Sequence, residues 1–201
     1  IKMATINDLG LDSVTKNSYY DPSQNRDVRL ISDMTYPCHI KSVKSNEVSV
    51  RGKYRAKVFN PTLEIDKECS NMSFQDDNGN EVNGSSFVGR TLYGKGIFLF
   101  LEPEDGDKFE SNPGGNAGYF AFCESIGIEC PTIEIDVDGE KKEVKQLPTL
   151  SDNDLIGKPL LGTVFTTTYK DKDGNQKSSL KVMKFQKWED GSAKDFDDIP
   201  F

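Results

Sequence analysis

The chain has 201 residues, of which 35% are hydrophobic and 29% are charged, and its net charge is −8. This is the composition of a globular domain, because the longest apolar run, at residues 96–101, is far shorter than the roughly 20 residues that cross a bilayer. The first residues lack the apolar segment of a signal peptide, so we expect a cytoplasmic protein.

Most of the chain has the period-two alternation of β-strands, and neither an internal repeat nor a linker divides it. We therefore predict a single β-rich domain at residues 12–188. An N-terminal arm at residues 1–11 precedes this domain, and a polar, acidic tail at residues 189–201 follows it.

The first predicted strand with a chemical signature covers residues 51–59. Alternate residues of a strand point to the same side, so this segment predicts one nearly all-basic face that suits an anionic ligand. The residues of that face are Arg51, Lys53, Arg55, Lys57 and Phe59, with Tyr54 on the other face.

The middle of the chain combines a strand, a loop and a helix. Residues 91–101 are strongly apolar and aromatic, which predicts a central strand with Phe98 and Phe100 in the core. Residues 102–116 predict a long acidic loop. A helix is predicted from an N-cap at Asn116 to a C′ residue at Gly127. Residues 129–137 then alternate as a further strand.

Two turns predict β-hairpins. Residues 75–80 have the composition of a hairpin tip, and the Asp-Gly pair at 173–174 lies between alternating runs at 162–169 and 178–188. Ser151, with Asp154 three positions later, predicts a short helix that begins with a capping box.

The four cysteines are far apart and form no CxxC pair. This spacing favours buried, reduced thiols over a disulfide framework. A metal site built from Cys38, His39 and Cys69 is the less favoured alternative. The remaining cysteines are Cys123 and Cys130.

Charge is segregated along the chain. Residues 26–57 hold eight bases against three acids, residues 158–187 hold seven bases against two acids, and residues 102–154 hold fourteen acids against four bases. An acidic protein can therefore present a basic surface if its fold brings the two basic segments together. We expect these segments to lie side by side as a trough for unpaired nucleotides.

The most specific motif is the C-terminus. The chain ends with Asp197, Asp198, Ile199, Pro200 and Phe201. This motif resembles the terminal peptide of bacterial single-stranded DNA-binding proteins, which ends Asp-Asp-Ile-Pro-Phe. The resemblance implies that the five residues dock replication and repair proteins, with the Phe201 ring in an apolar pocket and the carboxylates against a basic rim. The alternative is a solvating acidic tail without a partner.

The layout of the body is similar to that of phage-encoded single-stranded DNA-binding proteins, with a basic β-rich half, a long acidic loop and a closing hairpin before the tail. The resemblance implies a mainly β fold, an elaborated OB-fold-like five-stranded barrel with extra strands and hairpins and one or two short helices. It implies sequence-nonspecific binding of single-stranded DNA in replication, recombination or repair, in a bacterium or a phage-infected host. We expect no enzyme activity, no cofactor and no membrane partner, and homodimerisation stays open.

Binding of single strands without sequence preference needs cations near the phosphates and exposed rings on which bases stack, each stacked base contributing about 1–3 kcal/mol. For any one ring, packing in the core is the alternative. The predicted nucleic-acid-binding residues are Arg51, Lys53, Tyr54, Arg55, Lys57, Phe59, Tyr93, Tyr169, Lys170, Lys172, Lys181, Lys184, Phe185 and Trp188.

Two other function classes compete with this hypothesis. Glu134, Asp136 and Asp138 share one face of a predicted strand, and Glu143 with Lys145 has the Glu-x-Lys form that metal-dependent nucleases use to hold Mg²⁺. The other class is an interaction protein that acts only through its tail. Residues 171–175 resemble part of a calcium loop but lack its distal glutamate, so we interpret them as a hairpin turn.

Overall fold

The computed structural model of the chain describes residues 29–101, 115–137 and 139–193. A six-stranded antiparallel sheet forms the body, and two separate two-stranded hairpins accompany it. The strands of the large sheet are β1 (Thr35–Val50), β2 (Tyr54–Ile65), β5 (Thr91–Tyr93), β6 (Ile97–Phe100), β9 (Pro159–Lys170) and β10 (Gln176–Gln186). The hairpins are β3 (Ser73–Gln75) with β4 (Glu81–Asn83) and β7 (Thr132–Val137) with β8 (Glu140–Lys145), and the α-helix is α1 (Ala117–Ser125). The prediction of a mainly β fold is confirmed.

The long strand β1 organises the sheet because it has two partners. Residues 35–39 of β1 pair with β9, and residues 38–50 pair with β2, with an irregularity between Ile40 and Ser42. The resulting strand order is β10-β9-β1-β2-β5, and β6 also pairs with β2. Residues 35–39 of the first basic segment pair with residues 159–163 of the second, so the fold brings the two segments together along β1 and β9. Residues 54–57 pair instead with residues 47–50 of β1, and residues 176–186 pair with β9. The trough predicted between residues 51–57 and 170–187 is therefore not formed by paired strands.

The two ends of this strand order meet at Gly94. Gly94 forms a parallel bridge with Val182 of β10, and the backbone N–H of Lys95 donates to the Val182 carbonyl over 2.8 Å. A Cβ atom on Gly94 would lie 2.7 Å from Cγ of Pro61 and 3.2 Å from the Phe185 ring. Only a residue without a side chain therefore allows this close approach of the strands.

Alternation along the strands divides core from surface. Phe59, Leu63 and Ile65 of β2 are buried, and Tyr36 and Cys38 of β1 lie in the same core. Helix α1 closes one side of this core with three further buried apolar side chains. The first is Tyr119, whose ring stacks on Phe59 at a centroid distance of 5.9 Å. The other two are Phe122 and Cys123.

The four cysteines are free and buried, as predicted. Desolvation by burial raises the pKa of Cys69 to about 11 and that of Cys123 to about 12. Burial also raises the pKa of Cys38 far above its ordinary range. Thiols in this state behave as small apolar side chains.

Two predicted elements differ from the sequence expectation in the middle of the chain. Residues 91–101 form two short strands, β5 and β6, instead of one central strand, because the chain leaves the ladder at Gly94–Gly96 to meet β10. Ser151 forms one of the two hydrogen bonds of a capping box, since its backbone N–H donates to the Asp154 carboxylate, and its hydroxyl donates to the same carboxylate. The residues that follow are a series of turns without a helix.

Helix α1 ends as predicted but begins differently. At its C-terminus, the N–H groups of Gly127 and Ile128 donate to the carbonyls of Glu124 and Cys123, which is a Schellman motif. At its N-terminus, Asn116 makes no capping hydrogen bond. Its side chain instead accepts from the N–H of Phe100 over 2.7 Å and donates to the Phe100 carbonyl over 3.0 Å, so that it satisfies the open edge of β6.

Both predicted hairpin turns are confirmed, and they have the same hydrogen-bond pattern around an aspartate. Asp76 and Asp171 each accept two backbone N–H groups within their own turn. Hydrogen bonding lowers the pKa of both carboxyls, chiefly from the Asn80 side chain for Asp76 and from the Lys177 side chain for Asp171.

Within the described residues, no helix has the length and apolarity that a membrane crossing needs.

The bridge at Gly94 generates a stability prediction. We expect Gly94→Val to lower the free energy of unfolding by about 1–3 kcal/mol, because the added side chain overpacks the space between Pro61 and Phe185. The measurement is chemical denaturation followed by circular dichroism. Gly118→Ala is the control, since a Cβ at Gly118 meets no atom within 4 Å. Equal stability of the Gly94→Val and wild-type proteins would contradict the assigned close approach.

Candidate nucleic-acid interface

The strand predicted at residues 51–59 is shorter in the structure. Residues 51–53 form the turn between β1 and β2, with φ values of 55° at Arg51 and 67° at Gly52. Two successive positive φ values are typical of the tight turns that join antiparallel strands. Arg51 and Lys53 are therefore exposed at a hairpin tip, and the prediction that they belong to a strand face is wrong.

The remaining members of the predicted basic face point toward the core. Phe59 is fully buried, and Lys57 lies on the same side of β2, with its Nζ 4.7 Å from the Phe59 ring centroid. Lys57 also donates to the Leu150 carbonyl over 3.0 Å. Arg55 shares this side of β2 and is half-buried. This face is therefore not an open basic groove, and Phe59 presents no ring to a ligand.

The opposite face of β2 carries a row of aromatic side chains. Register places Tyr93 opposite Thr62, Phe98 opposite Val58 and Phe100 opposite Ala56. Because directly paired residues of an antiparallel ladder share a face, these rings lie on the side of β2 away from Phe59. We call this surface the aromatic face; its rings are Tyr54, Tyr93, Phe98 and Phe100.

The rings of the aromatic face are accessible to solvent, and three of them lie near one another. Tyr93 is 63% exposed and Phe98 is 39% exposed, whereas Tyr54 and Phe100 are half-buried. The Phe98 and Phe100 centroids are 6.2 Å apart, and those of Tyr54 and Phe100 are 6.1 Å apart. The prediction that Phe98 and Phe100 belong to the core is wrong, since the core lies on the other side of β6.

Cations border the aromatic face. Lys44 of β1 is exposed and lies opposite Asn60, on the same side as the rings. On the other border, Lys95 lines a cleft of about 480 Å³ together with Lys181 and Tyr169 of the β9–β10 hairpin. Lys95 thus connects the aromatic face to the closing hairpin, and Tyr169 adds a ring that is 50% exposed. The sequence prediction missed both Lys44 and Lys95.

The predicted nucleic-acid-binding residues of the β9–β10 hairpin lie in several different environments. Lys170 and Lys172 are exposed at its tip. Lys184 is exposed, and its Nζ lies 5.2 Å from the Phe165 ring centroid. Phe185 is half-buried and packs edge-to-face on Phe122 at a centroid distance of 5.3 Å. Phe185 is therefore partly a core residue.

Trp188 lies in a different environment from the aromatic face. Its ring packs edge-to-face on His39 at a centroid distance of 5.5 Å. Nε2 of His39 is 2.8 Å from the Ser192 carbonyl, and Nδ1 is 3.2 Å from the Asp66 carboxylate. The surrounding cavity is also lined by Glu64, Asp66, Glu68 and Asp190. Trp188 thus anchors the segment that leads to the tail, in an acidic setting that disfavours phosphate.

The residues of the nuclease hypothesis lie on the exposed β7–β8 hairpin. Lys141 binds Glu134 at 2.7 Å, and Asp136 accepts the Gly139 N–H, while Glu143 pairs with Glu134 in the ladder. Asp138 lies outside the described residues. No cluster of three or more metal-ligating side chains occurs in the described part of the chain.

The C-terminal motif at 197–201 also lies outside the described residues. Comparison with protein-family models, with curated protein sequences and with solved structures finds no match to this chain.

The division of β2 into two faces generates a second prediction. We expect Phe59→Ala to lower the free energy of unfolding by about 3–5 kcal/mol, because a fully buried ring leaves a cavity. Phe98→Ala should cost less than about 1.5 kcal/mol, since this ring is 39% exposed on the other side of the sheet. Urea denaturation of the two variants is the measurement. Similar losses would mean that both faces are packed.

Proposed function

We propose that this protein binds single-stranded DNA without sequence preference and acts in the replication, recombination or repair of phage or bacterial DNA. The observation that carries the proposal is the aromatic face, where four rings, two of them exposed, follow one strand and its partners on the side of the sheet away from Phe59. Apolar rings on a surface cost free energy unless a ligand covers them, so a row of them marks a binding surface. Nucleobases are suitable partners because every base has a π-face for stacking.

The charges beside the aromatic face support a polyanionic ligand. Lys44 lies on one border, and Lys95 and Lys181 lie on the other. The outward positions of β2 between Tyr54 and Thr62, and the residues paired with them in the described strands, include no acidic side chain. Binding of this kind is governed by release of counterions and weakens steeply as salt is added.

The connectivity supports a finer proposal for the fold, an elaborated OB-type barrel of five strands. The supporting features are the pairing of β1 with both β2 and β9, the parallel contact of Gly94 with Val182, and the position of α1 between β6 and β9 in the chain. OB-folds bind oligonucleotides on the face of their second and third strands and on two flanking loops. The corresponding elements here are the aromatic face and the hairpin tips at residues 51–53 and 171–175.

Substitution of two exposed rings tests the binding surface. We expect Tyr93→Ala and Phe98→Ala each to weaken binding of an oligothymidylate by about 5- to 150-fold, because each loses a stacked base worth about 1–3 kcal/mol. The measurement is fluorescence anisotropy of a labelled oligonucleotide at low and moderate salt. Val88→Ala is the matched control, since Val88 is 37% exposed and lies outside the aromatic face. If a protein that carries both substitutions binds the oligonucleotide with wild-type affinity, the aromatic face is not the binding surface.

The C-terminal motif supports recruitment of replication and repair proteins as a separate activity. Pro200 favours an extended conformation at Ile199, and Phe201 carries a ring and a carboxylate on one residue. An apolar pocket beside a basic side chain can therefore recognise both groups at once.

Truncation separates the two activities. We expect deletion of residues 195–201 to leave oligonucleotide affinity equal or higher, because it removes three acids and no aromatic-face residue, while recruitment of partner proteins is lost. Anisotropy measures the first effect, and co-precipitation with purified bacterial replication and repair proteins measures the second. The control is removal of Phe201 alone, which should abolish only recruitment. Loss of DNA binding on truncation would give the tail a different role.

A further inference from the structure

A second cleft adjoins the aromatic face, between β6, α1 and β10. Its volume is about 510 Å³, within the range of pockets that hold small organic ligands. Phe98 and Phe100 form one wall, and the edge-to-face pair of Phe122 and Phe185 forms another. The cleft is therefore lined largely by aromatic rings.

The helix wall of the cleft is open because two of its residues have almost no side chain. Gly118 and Ala121 of α1 both line the cleft. A Cβ atom on Gly118 would meet no other atom within 4 Å, and Ala121 is exposed. A planar group can thus enter beside the helix without displacing atoms of the described residues.

The polar residues of the cleft define the charge of its occupant. Lys95 and Lys184 line it, and the Lys95 Nζ lies 6.0 Å from the Phe185 ring centroid. Gln186 adds an amide that both donates and accepts hydrogen bonds. None of the described residues that line the cleft is acidic, although the chain holds 33 Asp and Glu residues. A ligand with a flat ring joined to an anionic group fits these walls, and a nucleotide has that chemistry.

Phe98 and Phe100 belong to both surfaces, so a strand stacked on the aromatic face passes the mouth of the cleft. We infer that this cleft holds one nucleobase turned out of the bound single strand, with the adjoining phosphates at Lys95 and Lys184. The base lies among the rings, and Gln186 faces its polar edge. This inference rests on the proposed function, because it requires a single strand on the aromatic face.

The test fills the cleft and compares ligands with and without bases. The variant is Gly118→Leu with Ala121→Leu, since leucine favours the helix and occupies the open wall. Ala117→Leu is the matched control, because Ala117 is exposed on the same helix but does not line the cleft. Two labelled probes of equal length are used, an oligothymidylate and an abasic phosphodiester. Circular dichroism establishes that each variant is folded.

We expect the filled variant to bind the oligothymidylate about tenfold more weakly and the abasic probe within twofold of wild type. The control variant should bind both probes as wild type does. An equal loss for both probes, no loss, or a gain in affinity would overturn the inference; a gain would point to the acidic tail as the occupant. If wild type binds neither probe at low salt, the proposed function fails as well.

A second measurement needs no variant. A single 2-aminopurine is moved along the oligonucleotide bound to the wild-type protein, and its fluorescence is quenched with acrylamide. One position per bound protein should be shielded at least threefold more than its neighbours. Uniform shielding at all positions would contradict a single enclosed base.

Discussion

The contact between Gly94 and Val182 is the constraint on which the remaining structure depends. Only there does the described chain connect β10 to the β5–β6 side of the sheet through backbone pairing. This contact brings Lys95 against the closing hairpin and places two clefts on either side of one short turn. The candidate interface thus joins segments near residues 58, 95 and 181, which only the fold brings together.

Because side chains alternate along β2, the two sides of the sheet have different environments. One side packs Phe59 against Tyr119 in the core, and even its lysine is held there by the Leu150 carbonyl. The other side keeps Tyr93 and Phe98 in solvent. Burial of the first face supplies the stability that lets the second keep exposed rings, because apolar area removed from water contributes about 25 cal/mol per Å².

Acidic and basic side chains are also separated on the surface of the protein. The net charge of −8 disfavours a nucleic-acid partner when averaged over the molecule. However, the acidic side chains near Trp188 line a different cavity from the one that contains Lys95 and Lys181. The His39 contacts hold the segment at residues 188–192 against this acidic cavity. The proposed binding surface therefore lies apart from the acidic cavity beside Trp188.

The local features could be predicted from the sequence, namely the Asn-Gly and Asp-Gly hairpin turns and the helix end at Gly127. These depend on backbone preferences of a few adjacent residues, so the sequence carries them directly. The buried thiols followed from the wide spacing of the cysteines and from the apolar character of a free thiol. Tertiary structure alone decided which face of an alternating strand is buried, because alternation distinguishes two faces without identifying the one that the helix covers. For that reason the sequence predicts Phe59 at the surface and Phe98 in the core, the reverse of the structure, and it does not indicate Lys95, which only the approach of β10 brings to the interface.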